Sequence, residues 1–386
     1  MREVEYASNR KKFNSAKWSE YIQKEGLIPL TVADMEFKVP REVRSALKNV
    51  VDMGAYGYTY RSEEYYKSIT GWLRKRHGIE VDKELILPGF GVMFSISVTI
   101  RALSEKGDGV LINIPSYYPF FSAITDNERR LLESPLILNK DTRQYEIDFE
   151  DLEEKLKKAK IYLLSSPHNP TGRVWNDEEL ERIIYLCEKY NVLIISDEIH
   201  SDLILSNCKH ITLFEKCKGK KVKLVVCSSP SKTFNLAGLN TSYSYVNDIN
   251  LKENIEKEIY KTGLYHNNIY GLVATESAYN QCEYWLEDLV DYIKINKTIA
   301  FTRLSKYKDK VIIIDSEGTY LMLLKFIDYS SDDIINILRN KAKILVEDGR
   351  LFKCEEGFVR INIACPTELF KNILNKIENL IIKRER

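Results

Sequence analysis

The sequence predicts an α/β protein: a large domain with a mainly parallel sheet between helices, plus a smaller α+β domain. Three observations predict it. Apolar runs such as "GVLINI" (109–114), "KIYLLSS" (160–166), "NVLIIS" (191–196) and "KLVVC" (223–227) are continuous rather than alternating. Strands buried on both faces read this way. Helical stretches separate several of the runs. Polar clusters fall just after them, and open sheets of this class bind ligands beyond the carboxyl ends of their strands.

The elements follow in order. "EEYYKSITGWLRKRHG" puts Tyr65, Ile69 and Trp72 on one helical face, and Gly78 can end that helix. "ELIL" is a short strand, "PGFG" a turn, and "VMFSISVTIRAL" a buried helix. "GVLINI" ends at "PSYYPF", and "KIYLLSS" ends at "PHNPTG". Asn176 caps the next helix with Glu179 in capping-box position, and Leu180, Ile183, Ile184 and Cys187 form its inner stripe. "NVLIIS" ends at "DEIHSD" and "KLVVC" at "SSPSK". From about residue 285 the pattern changes: "YWLEDLVDYIKINKTIAFTRLSKY" is a long helix. "VIIID", "TYLMLLKF" and "GFVRINIA" are strands, with a helix after Ser331. The expected division is 46–284 for the large domain and 285–386 for the small one, which residues 1–45 join.

Composition narrows the function. With 386 residues the chain can bury a large core, and a net charge of +1 gives no single-signed field for nucleic acid. Seven cysteines, an odd number with no C-x-x-C pair, argue against a disulfide framework and for reduced thiols. No apolar run reaches the ~18 residues of a membrane span. The N-terminal "MREVEYASNRKKF" lacks a signal-peptide core. The expected location is the cytoplasm, without membrane partners. The basic tail "IIKRER" reads as a solvated helix end.

The strand ends carry the chemistry. Asp197 closes an apolar strand, where a carboxylate is costly without a partner. Asn169 lies in "PHNPTG", Tyr117 in "IPSYYPF", and Lys232 in "SSPSKTF" beside Ser229 and Ser231. Gly91 precedes a helix whose free N–H groups, at Val92 and Met93, suit an anion. One ligand uses all of these. It has a phosphate, a flat ring for Tyr117, a basic ring nitrogen for Asp197, an aldehyde for Lys232 and an adjacent oxygen for Asn169. Pyridoxal 5′-phosphate (PLP) is that ligand. Blander readings compete: Lys232 as one of 57 Lys and Arg, Asp197 as a helix cap, Tyr117 or Tyr58 as packing, Arg360 as a structural ion pair, His200 as a structural histidine. "DEIHSD" as a metal site is disfavoured, because its spacing follows no ligand pattern.

The motifs "TVADMEFKVP", "YGYT", "PHNPTGRVW", "SDEIHSDL", "SKTFNLAGL" and "RINIACP" span residues 31 to 366. On them the chain resembles the fold-type I PLP enzymes of the class I/II aminotransferase superfamily, in their cystathionine β-lyase (C–S lyase) branch. The resemblance implies that Lys232 is the Schiff-base lysine and general base. Asp197 would pair with the pyridine nitrogen, Asn169 would hydrogen-bond the ring oxygen, and Tyr117 would stack on the ring. Ser229, Ser231 and the amides after Gly91 would hold the phosphate, with Tyr58 reaching it from a second subunit of a homodimer. Arg360 would grip the substrate α-carboxylate, and Ala33 and Asp34 would line the substrate mouth. Two departures from the aminotransferase pattern resemble the lyase branch. Asn240 stands where many members carry a phosphate-clamping arginine, and His200 where they carry a tyrosine near the ring oxygen. Glu36 replaces the branch's more frequent aspartate. The implied activity is β-elimination from L-cystathionine or related cysteine S-conjugates, with transamination of an L-amino acid as the alternative. A regulatory role on the same fold is a third reading, against which the intact Lys232, Asp197 and Arg360 argue.

Overall fold

The computed structural model describes residues 4–8 and 10–383. Eight strands form one sheet, in the spatial order Ile86–Gly89, Ser242–Val246, Leu224–Ser228, Leu193–Asp197, Ile161–Ser165, Gly109–Ile114, Arg130–Asn139, Gln144–Ile147. The five from Leu224–Ser228 to Arg130–Asn139 pair in parallel, while Ser242–Val246 and Gln144–Ile147 pair antiparallel. The expected parallel centre is present.

Both faces of this sheet are covered, and successive residues supply opposite sides. Ile161, Leu163, Ile195 and Val225 pack with the helices Val92–Leu103 and Ile249–Lys261. Their neighbours Tyr162, Leu164, Ile194 and Val226 pack on the other side with Leu180, Ile183 and Ile184 of the helix Asp177–Lys189. Each such side chain contributes about 1.5–3 kcal/mol when fully buried. Asn176 and Glu179 form the expected capping box. Tyr65, Ile69 and Trp72 are buried along Glu63–Trp72, and after one wider turn Gly78 stops the chain at φ 69°.

Several boundaries differ from the sequence reading. The strand expected at "ELIL" is Ile86–Gly89, so Pro88 and Gly89 are strand residues rather than a turn. Pro88 is tolerated because this strand lies at the edge of the sheet. The strands Ser242–Val246 and Arg130–Asn139 and the helices Arg41–Met53, Ile249–Lys261 and Ile269–Gln281 had no counterpart in the sequence reading.

A second, four-stranded antiparallel sheet runs Val311–Ile313, Leu321–Phe326, Phe358–Asn362, Glu347–Asp348. The N-terminal segment joins these elements: Ile28–Pro29 pairs in parallel with Ile344–Leu345. On these pairings we propose the division drawn from the sequence, with two shifts. The boundaries at 45/46 and 284/285 cut the helices Arg41–Met53 and Glu283–Leu304, so the large domain begins at 41 and ends at 282. The tail residues 384–386, and residues 1–3 and 9 of the N-terminal segment, lie outside the described residues. Among the described residues no helix is long and apolar enough to cross a membrane.

The turn "HNPTG" ties the two units together. Gly172 has φ 73°, and both Glu317 N–H and Gly318 N–H donate to its carbonyl at 2.8 Å. A Cβ at Gly172 would meet Ser316 Cβ at 2.2 Å. Gly172→Ala should therefore destabilise the protein by more than the ~1–2 kcal/mol of a left-handed residue alone, read as a fall in the urea midpoint. An unchanged midpoint contradicts this packing.

Candidate active site

The parallel strands deliver their polar ends to one place. Ser165 stands opposite Asp197 in the ladder, and Asp197 opposite Cys227. Beyond them lies a cavity of about 280 Å³. Ten of the residues expected from the sequence line it: Lys232, Asp197, Asn169, Tyr117, His200, Ser231, Gly91, Val92, Met93 and Ala33.

Lys232 sits on a single helical turn, Pro230–Thr233. Proline at the first position suits a helix start. Ser229 caps the turn by accepting the Ser231 N–H at 3.0 Å, and its own hydroxyl donates to the Thr241 carbonyl at 2.7 Å. Ser229 was expected to hold a phosphate; it instead holds this turn and does not line the cavity. Thr233 Oγ1 donates to Asp202 at 2.8 Å, which fixes the residue after the lysine. The Lys232 ammonium donates to the Ala33 carbonyl at 2.8 Å, and Tyr320 donates to the same oxygen at 2.9 Å. Burial pushes the lysine pKa down to about 8; Asp34 opposes this and Arg360 adds to it. Near neutral pH a useful fraction of the amine is then free.

Asp197 is 6% exposed. The hydrogen bond its carboxylate accepts comes from the Ile199 N–H at 3.1 Å. Burial raises its pKa to about 7, against the pull of that bond and of Lys232. Among the described residues no cation is in hydrogen-bonding contact with it, so the carboxylate fits a ligand that brings a basic nitrogen to the cavity floor. Asn169 Oδ1 accepts from Arg360 Nη1 at 2.9 Å. That bond orients the amide and leaves its NH₂ free to donate. His200 is buried with Nδ1 unpartnered, and burial pushes its pKa down to about 3, so the ring is neutral. Burial raises the Tyr117 phenol to about 12, so it stays protonated over Asp197 and Arg360.

The opposite wall suits an anion. The helix Val92–Leu103 starts at Gly91, whose φ of 105° turns the chain into it, and its first N–H groups face the cavity. Ser231, Asn240 and Thr241 complete this wall. Thr241 went unnoticed in the sequence because a lone threonine after "GLN" carries no pattern.

Ala33 and Asp34 form the mouth, where a second cavity of about 720 Å³ adjoins the first through Ala33 and Lys232. Arg10 grips Asp34 through a short ion pair and bonds Glu36 at 3.0 Å. The nearly buried Lys17 reaches Glu36 at 3.2 Å, and Trp18 Nε1 donates to Glu36 at 3.0 Å. Glu36 is thus an anchor behind the mouth. Nothing in the residue types at Arg10 and Lys17 announced this clamp.

Arg360 is buried and reaches the site through its bond to Asn169, without itself lining the cavity. Tyr58 is 96% exposed and does not reach the cavity of its own chain. The carboxylates of "DEIHSD" diverge: Glu198 takes His210 at 3.0 Å, and Asp202 takes His77 at 3.0 Å and Trp72 at 3.2 Å.

The state of Asp197 has a thermodynamic signature. Between about pH 4 and 7 the folded protein holds a proton that the unfolded chain has released, so this residue's contribution to stability falls as pH rises through that window. In ligand-free protein, Asp197→Asn should remove that slope and be about 1–3 kcal/mol more stable than the parent at pH 8 in urea unfolding. A variant no more stable than the parent at pH 8 contradicts an unpaired carboxylate here.

Residues 25–377 match the family Aminotransferase class I and II. Cystathionine beta-lyase PatB of Bacillus subtilis strain 168 is 35% identical over 372 residues, covering 94% of this chain and 96% of its own length. Cystalysin of Treponema denticola, whose crystal structure contains PLP, superposes with a TM-score of 0.93 at 32% identity and over 100% of both chains. A PLP-bound protein of Clostridium difficile 630, provisionally called an aminotransferase, gives 0.93 at 36% identity, over 99% of this chain and 100% of its own. These superpositions bear out the fold-type I architecture expected from the sequence. The chain belongs to the aminotransferase class I and II family.

Proposed function

We propose that this protein is a PLP-dependent carbon–sulfur lyase that acts on L-cystathionine or related cysteine S-conjugates. The observation that carries the proposal is one cavity offering a lysine amine of lowered pKa, an unpaired buried carboxylate and a helix N-terminus. Similarity to PatB, a cystathionine beta-lyase, favours elimination as the outcome.

Bound PLP supplies an electron sink for the charge left when the substrate Cα loses its proton. The chain's residues do the rest. Asp197 holds a proton on the pyridine nitrogen, which keeps the sink effective. The Asn169 NH₂, with Oδ1 already tied to Arg360, donates to the ring oxygen, and neutral His200 stands beside it. The N–H groups at Val92 and Met93, with Ser231 and Thr241, take the phosphate. Tyr117 covers the ring. Arg360 takes the α-carboxylate through its planar fork. The Lys232 amine would remove the Cα proton. The β-carbon–sulfur bond then breaks with its electron pair on sulfur, and the released three-carbon enamine hydrolyses to pyruvate and ammonia. The leaving thiol exits past Ala33 and Asp34.

The working unit is proposed to be a homodimer. Tyr56, Tyr58 and Tyr60 stand exposed at 58, 96 and 80% along one extended segment. Aromatic surface of this kind is what protein interfaces cover. Tyr58 would then complete the phosphate site of a second copy. Seven free cysteines support a reducing, cytoplasmic setting.

Transamination is the second reading, favoured by the 36%-identical C. difficile protein. It shares every step up to loss of the Cα proton. Purified protein given L-cystathionine without a 2-oxo acid separates the two. The lyase releases pyruvate, ammonia and free thiol in equal amounts over many turnovers, and Lys232→Ala loses at least ~10³ of the rate. A single half-turnover that resumes only when a 2-oxo acid is added establishes the aminotransferase instead.

A further inference from the structure

The residue proposed to bind the substrate carboxylate already holds one. Glu347 stands directly opposite Arg360 in the antiparallel pair of Glu347–Asp348 with Phe358–Asn362, so both side chains leave the same face. Arg360 Nη2 donates to Glu347 Oε2 in a short ion pair whose partners are 3 and 11% exposed. Nη1 is taken by Asn169, and the Phe352 ring lies 4.5 Å from the guanidinium carbon. Burial pushes the guanidinium pKa down, and Glu347 is the first group opposing it. A two-pronged grip on a substrate carboxylate needs a donor that Glu347 now occupies. Two carboxylates on one buried guanidinium would leave a net negative charge away from water.

Glu347 also has a second contact. Its Oε1 accepts the Val32 N–H at 3.2 Å. Val32 has φ 53°, a left-handed conformation that a β-branched side chain resists. The Val32 carbonyl is held by Asn362 Nδ2 at 2.8 Å. Val32 is the residue before Ala33, whose carbonyl holds the Lys232 amine. One glutamate therefore bridges the carboxylate receptor and the strained edge of the mouth.

We propose that Glu347 is a positioning residue that occupies the carboxylate seat on Arg360 in the free enzyme and is exchanged for the substrate α-carboxylate. The proposal rests on the reading of Arg360 as the carboxylate receptor. Exchange of one carboxylate for another keeps the buried guanidinium neutralised at each stage. It also withdraws the acceptor from Val32, so substrate binding loosens the mouth that it has just entered. Glu347 thereby sets the affinity for the amino-acid end of the substrate, whatever the sulfur substituent.

The test uses PLP-loaded protein, the variants Glu347→Gln and Arg360→Ala, and propionate as an unreactive carboxylate. Removing the internal competitor should tighten propionate inhibition about tenfold in Glu347→Gln, and KM for an S-alkyl cysteine should fall by a larger factor than kcat. Amide hydrogen exchange across residues 30–36 should speed up when propionate binds the parent protein, and should already be fast in unliganded Glu347→Gln. A merely structural glutamate would weaken binding or leave it unchanged, and either result overturns the proposal. So does parent protein whose exchange at 30–36 ignores propionate, a measurement that needs no variant. Inhibition that survives Arg360→Ala sinks the reading of Arg360 itself, separately from Glu347.

Discussion

A buried carboxylate without a cation is the constraint on which this site is built. Asp197 ends a strand whose other four residues are apolar or small and all buried, and it is itself only 6% exposed. Its fixed place comes from pairing on both sides, with Ser165 and Cys227 as ladder neighbours. A charge placed like this is costly in the empty protein. The cost is removed when a ligand brings a proton-bearing nitrogen to it. Affinity for such a ligand is therefore written into the fold as destabilisation of the free protein.

The rest of the site is organised around the same floor. Lys232 enters from the next strand, on a turn held by Ser229 and by the bond from Thr233 to Asp202. Asn169 enters from the strand on the other side and is oriented by Arg360. Arg360 lies on the second sheet, and Ala33 follows the N-terminal strand Ile28–Pro29. The cavity draws on both units, and the Gly172 turn holds them together. The lysine amine and the Ala33 carbonyl meet across that join.

What was legible in the sequence follows from the same physics. Strands buried on both faces must be continuous apolar runs, so "GVLINI" and "KIYLLSS" declared themselves. The residues just after them had to be functional or capped. "SYSYV" did not declare itself, because alternating serine and tyrosine look half-polar, although all five residues are buried. The strand Arg130–Asn139 is too exposed and polar to stand out. Lys232, Asp197 and Asn169 were readable from local patterns. Glu347 and Arg10 were not, since each gains its meaning from a partner that only the fold brings close: Arg360 across a ladder, Asp34 across 24 residues. Ser229, read as a phosphate ligand, caps the lysine turn in the structure; a serine beside a phosphate site and a serine capping a turn are the same letter.

The central claim is electrostatic: the fold holds Asp197 ready for a protonated ring nitrogen. Calorimetric titration of PLP-free protein with 4-deoxypyridoxine 5′-phosphate, which has no aldehyde to react with Lys232, isolates that interaction. The account predicts that Asp197→Asn weakens binding at least tenfold, while Lys232→Ala binds about as the parent does. Equal affinity in Asp197→Asn and the parent would contradict it.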